Sequence, residues 1–159
     1  MLNNLKIRFA SISDGPAIID LLEQITESIQ NHKDWDSYTI ETTLKKQECA
    51  IRKIINSQSK LFLVFLHFEL IALANIQIIT NVRHGWDRAH IEELVVHEKF
   101  RNRGVGKQLL AAIREYCIKQ NISVIKLLCG CQLTESHAFY EANGFKFTDK
   151  GYRIDLNSK

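Results

Sequence analysis

The stretch AHIEELVVHEKFRNRGVGKQLL, residues 89–110, decides how the chain is read. Residues 89–96 predict a buried strand, a short basic connection follows, and a helix is predicted over 104–120. That helix opens on the glycine-rich turn Arg101-Asn102-Arg103-Gly104-Val105-Gly106. Glycines at 104 and 106 remove the Cβ atoms that would keep a ligand off the backbone. The first turn of a helix offers N–H groups that lack intrahelical acceptors, and its dipole end favours negative charge. With Arg101, Arg103 and Lys107 around it, the turn points to a ligand that carries phosphates.

Two phosphate ligands are excluded by what the turn lacks. A dinucleotide fingerprint needs a third glycine or alanine, but Leu109 stands three residues after Gly106, and the position about 20 residues on is Lys126 rather than an acid for a ribose. A P-loop needs Ser or Thr after its lysine and glycine five positions earlier, where Gln108 and Arg101 stand.

The chain's 159 residues suffice for one domain that buries roughly two-thirds of its unfolded surface, without disulfide or metal. Cysteines 49, 117, 129 and 131 form no C-x-x-C pair and no zinc spacing, which implies a reduced compartment and no metal site. No segment reaches about 18 apolar residues, so no membrane partner is expected and the protein is read as soluble and cytoplasmic. A formal net charge of +3, evenly spread, argues against nucleic acid.

In chain order, residues 6–10 alternate like a strand, and Asp14-Gly15-Pro16 starts a helix that ends near Gln30, with Asp14 a candidate cap. Residues 31–37 form a polar connection carrying Trp35, which either packs helices together or walls an acceptor pocket. A second helix is predicted over 39–56. Residues 61–66 and 70–80 read as an antiparallel pair turned at His67-Phe68-Glu69, and 81–87 as a loop. After the helix at 104–120, residues 123–128 give a further strand, making a βαβ unit. The last third, TESHAFYEANGF over 134–145, predicts a short helix that Thr134 can cap and Asn143-Gly144 ends. Short strands are predicted at 145–147 and 152–156.

The combination of R-x-x-G-x-G after a Val-rich strand with A-x-Y-E-x-x-G-F behind it resembles the GCN5-related N-acetyltransferase superfamily over residues 89–156. Within it, IEELVVHEKFRNRGVG, SHAFYEANGF and GYRIDL are similar to small bacterial enzymes that acetylate small-molecule amines, such as aminoalkylphosphonate and glucosamine-6-phosphate acetyltransferases. The resemblance implies an α/β (α+β) fold. Its central sheet is mixed and mostly antiparallel, with six or seven strands, about four flanking helices and a V-shaped splay between two central parallel strands. It implies one domain over 1–159, with an acceptor-side half at 6–80 and an acetyl-coenzyme A half at 89–156. Many relatives have asparagine seven residues before the tyrosine; here Leu133 stands there, with Ser136 a substitute contact to the coenzyme.

The implied activity is acetyl-coenzyme A dependent transfer to a small amine by direct attack in a ternary complex, with acetyl-coenzyme A as cosubstrate and no metal. A protonated amine must first lose a proton, and the family places its base on the central strand, at positions that correspond to His90 or Glu92; Glu92 is preferred and His90 second. Simple alternation puts His90, Glu92, Leu94 and Val96 on one face and Ile91, Glu93 and Val95 on the other. Two adjacent carboxylates cannot both be buried unpaired, so one is expected to meet water or an arginine such as Arg88. The Leu94 N–H is implied as donor to the developing oxyanion, and Tyr140 as acid for the leaving thiolate. Backbone groups of Leu94, Val95 and Val96 are implied to pair with the pantetheine arm. Arg101, Asn102, Arg103, Gly104, Val105, Gly106 and Lys107 would hold the pyrophosphate. A transferase for protein N-termini or lysines, or a silent acyl-coenzyme A module, would share this half. The sequence leaves open the acceptor and whether the chain forms a homodimer.

Overall fold

In the computed structural model, residues 2, 4–30 and 44–152 are described. The chain falls into two units, residues 1–127 and 128–159. The first holds β1 (Leu5–Phe9), α1 (Gly15–Gln30), α2 (Leu44–Ile55), β2 (Lys60–Leu66), β3 (Glu69–Asn81), β4 (Trp86–Val96), α3 (Val105–Lys119) and β5 (Val124–Leu127). The second holds α4 (Thr134–Ala142). Trp35 and the first residues of the predicted second helix lie outside the described residues.

The five strands lie in sequence order in one mixed sheet, antiparallel throughout except for the parallel pair β4–β5. The sheet is sandwiched because its strands are apolar on both faces. On one face Leu61, Leu63 and Leu73 pack with Ile18, Ile19 and Leu21 of α1 and Ile51 of α2. On the other, Phe9 and Phe62 meet Tyr116 of α3 edge-on, with ring centroids 4.9–5.7 Å apart. Leu63, Leu73, Leu109 and Ile113 are wholly buried, and truncating one such residue to alanine typically costs about 2–5 kcal/mol.

The described residues carry five strands where six or seven are expected. Phe145-Lys146-Phe147 forms no strand, because so short an alternation finds no ladder partner among the described residues. Most of the predicted strand at 152–156 lies outside them. The entry to α1 also differs. Ser11 precedes a single 3-10 turn over Ile12–Asp14, and the Asp14 carboxylate reaches back to accept from the Ser11 N–H at 2.7 Å. Asp14 also accepts from Arg8 on β1 through both guanidinium nitrogens, at 2.6 and 2.8 Å, clamping the sheet edge to the helix entry.

This clamp makes a stability prediction. Arg8 holds the Asp14 carboxyl well below its usual range, with the Ser11 N–H and hydroxyl assisting. A depressed folded-state pKa stabilises the fold fully above the unfolded value of about 4, and the contribution is lost as pH falls from there through the lower folded-state value. Asp14→Asn should therefore cost about 1 kcal/mol at pH 7, Arg8 being partly solvent-screened, and clearly less near pH 2. Urea melts of both proteins at the two pH values check it; an equal difference at both would rule out the linkage.

Candidate active site

The site begins with an extra residue in β4. Opposite β3, Ile91 pairs with Ile76 and Glu93 with Asn75, so Glu92 has no partner of its own and forms a β-bulge. Beyond the bulge the alternation is reset. Ile76 and Asn75 point to opposite faces of β3, so Ile91 and Glu93, two residues apart, do so as well. Glu93 thus shares the face of His90, which pairs with Gln77, and not the face of Ile91. This corrects the face assigned to Glu93 by simple alternation; counting along one strand cannot register an insertion relative to its neighbour.

The bulge gathers three titratable groups. His90 Nε2 lies 3.8 Å from a carboxylate oxygen of Glu92, an ion pair whenever the imidazole is protonated. Glu93 keeps a solvent-exposed flank, yet the protein crowded around its carboxyl strips enough hydration to push its pKa above the usual range, and the adjacent Glu92 charge adds to the shift. Arg88 and Lys126 are on the same face by register, Lys126 directly beside His90.

The bulge coincides with the end of the parallel pairing. β5 accompanies β4 from Arg88 to Ile91 and stops at Leu127, so no β5 partner is present for residues 92–96 among the described residues. The pairing thus ends in the stretch where a splay between the parallel strands is expected, and of the described strands only β3 pairs with residues 93–96.

The strand then feeds the glycine turn. Gly104 adopts φ +85°, a left-handed conformation suited to glycine, and Asn102 is also at positive φ. The Gly104 carbonyl accepts the first intrahelical bond, from the Gln108 N–H at 3.1 Å, so the amides of residues 105–107 lie ahead of the helical ladder. Arg101 donates from Nε to the Val96 carbonyl at 3.1 Å, which braces the turn against the end of β4. The Arg103 guanidinium sits 6.0 Å from the Phe100 ring centre. Open amides, the left-handed glycine and the flanking cations fit the pyrophosphate of a coenzyme.

In the second unit, α4 begins at Thr134 without a side-chain cap and ends as predicted, with Gly144 at φ +83° and the Asn143 amide donating to the Phe139 carbonyl at 2.7 Å. Tyr140 is wedged edge-on between Phe139 and Phe145, at 5.3 and 5.5 Å. Burial, with Cys129 beside it, pushes its phenol up to about 12, so it remains a proton donor across the physiological range. Ser136 lies one turn before Tyr140 on α4. Asn75 and Glu93 were not among the residues singled out from the sequence; the available signal for Asn75 was its place, with Gln77, as one of two amides inside an apolar run.

Among the described residues no cluster of three or more metal-ligating side chains occurs, and no helix is long and apolar enough to cross a membrane. A search of curated proteins found no match. Similar solved structures include an aminoglycoside acetyltransferase from an uncultured soil metagenomic sample in complex with trehalose, with TM-score 0.76, 18% identity, and coverage of 99% of this chain and 98% of that one. A transcriptional regulator from Bacillus halodurans C-125 gives TM-score 0.81 at 21% identity, over 96% and 100%. A ribosomal-protein-alanine N-acetyltransferase from Brucella melitensis biovar Abortus 2308 gives 0.76 at 12%, over 97% and 100%. At these identities the likeness establishes the fold. Residues 18–145 match the sequence model described as "Acetyltransferase (GNAT) family", and with that span of the chain matched, the protein belongs to the GNAT family and is an N-acetyltransferase.

Proposed function

We propose that the protein transfers acetyl from acetyl-coenzyme A to the primary amine of a small metabolite by direct attack in a ternary complex, residues 1–159 acting as one domain in the cytoplasm. The observation that carries this reading is the bulge at Glu92, which sets His90, Glu92 and Glu93 together where β5 pairing ends. The coenzyme supplies an activated acetyl thioester. Leu94, Val95 and Val96 offer main-chain groups to its arm, residues 101–107 hold its phosphates, and Ser136 adds a side-chain contact. Glu92 takes the proton of the bound ammonium, with His90 beside it as second acceptor. The Leu94 N–H meets the negative charge that develops on the carbonyl oxygen, and Tyr140 holds the proton destined for the leaving sulfur.

Glu93 is the second reading for the base, favoured by its place on the face of His90 and its raised proton affinity, which a base working near neutrality needs. Glu92→Gln should depress activity most at neutral pH, with partial recovery at high pH as free amine accumulates. If Glu93 is the base, Glu93→Gln shows that profile instead. Full pH–rate curves on an amine of known pKa decide the matter, and wild-type curves in both variants and in His90→Gln would remove side-chain base catalysis from this strand.

The function is tested by thiol release from acetyl-coenzyme A over amino sugars, aminophosphonates, amino acids, polyamines and peptides. A small amine should release thiol and become acetylated. Turnover of peptides alone would move the protein to the class of its Brucella structural relative.

A further inference from the structure

Two buried side-chain polar atoms lack a hydrogen-bond partner among the described residues, Asn75 Oδ1 and Arg88 Nε. Both belong to the face that carries His90. Asn75 stands between Leu61 of β2 and Glu93 of β4; Arg88 stands between Ile79 of β3 and Val124 of β5. They therefore bracket His90, Glu92 and Glu93, at opposite ends of one row. Asn75 is 6% exposed and is the single buried polar residue of the described core. An unpaired buried group of either kind costs about 1–3 kcal/mol, and such a cost is tolerated where a ligand supplies what is missing.

The missing partners are of opposite kinds. Asn75 Oδ1 needs a hydrogen-bond donor, at the end where two carboxyl groups favour a cation. Arg88 Nε needs an acceptor, and Lys126 adds a second basic side chain to the same face. The stretch of β3 from Asn75 to Ile79 measures about 13 Å, and the long Arg88 side chain can span part of it.

We propose that the acceptor is a zwitterion, with its ammonium received at Asn75 and the carboxylates and its anionic group, a carboxylate or a phosphonate, bound by Arg88. The proposal rests on the acetyltransferase reading above and adds the substrate class.

The test is kcat/KM for matched-length acceptors: ω-aminocarboxylates, aminoalkylphosphonates, amino alcohols and diamines. At the best chain length the anionic acceptors should exceed the amino alcohol by about tenfold or more, a factor of ten being 1.4 kcal/mol. Whichever anionic series is faster identifies the group. Arg88→Gln should erase that ratio mainly through KM, Arg88→Lys should keep part of it, and Asn75→Leu should raise KM for all amines while leaving the ratio intact. Melting temperatures with and without acetyl-coenzyme A confirm that each variant is folded. A diamine or amino alcohol used as well as the zwitterions, or a ratio that survives Arg88→Gln, overturns the proposal while leaving the acetyltransferase reading intact. Absence of thiol release with every amine overturns that reading, and this one with it.

Discussion

Tyr140→Phe should lower the turnover number by about 10²-fold while leaving the fold and the affinity for acetyl-coenzyme A near wild type. The ring contacts with Phe139 and Phe145 are edge-on packing contacts that phenylalanine preserves, so only the hydroxyl is lost. Because burial holds this phenol up to about 12, it is protonated throughout the usual assay range, and the alkaline limb of the wild-type profile should not come from Tyr140. The check is a single-turnover measurement, in which product release does not limit the rate. An unchanged rate constant there would reassign Tyr140 to packing.

Gly104→Val should abolish the thermal stabilisation that acetyl-coenzyme A gives the wild type. At φ +85° a β-branched residue is strained whatever space surrounds it, and relief of that strain would turn the amides of residues 105–107 away from a common anion. Saturating ligand at 100 times its dissociation constant is worth about 2.7 kcal/mol to the wild type, an easily read shift. Arg103→Ala serves as the comparison: it deletes one exposed charge near Phe100 and should weaken binding only modestly. Full stabilisation of Gly104→Val would show that the glycine turn does not bind the coenzyme.

What was legible in the sequence was whatever is decided locally. The glycine turn, α3 and the end of α4 follow from glycines at positive φ and from helical spacing. The β2–β3 hairpin follows from two apolar runs about a short turn, with His67 in the left-handed region. What was hidden depends on partners. The bulge at Glu92 exists only relative to β3, so the run Glu92-Glu93 reads as ordinary alternation until the two strands are aligned. Asp14 resembles a cap in sequence but acts as the third residue of a 3-10 turn held by Ser11 and Arg8, and Arg8 lies on a different element. Asn75 stands with Gln77 as one of two amides in an otherwise apolar run, but its pairing with Glu93 is not legible there.

In the proposed mechanism acetyl passes from the coenzyme to the amine within one complex, with Glu92, Glu93 or His90 taking the amine proton. Initial rates measured with both substrates varied test this most directly. Direct transfer predicts lines that intersect in the double-reciprocal plot, because both substrates must be bound before acetyl moves. Parallel lines, the pattern of a covalent acetyl-enzyme, would contradict it.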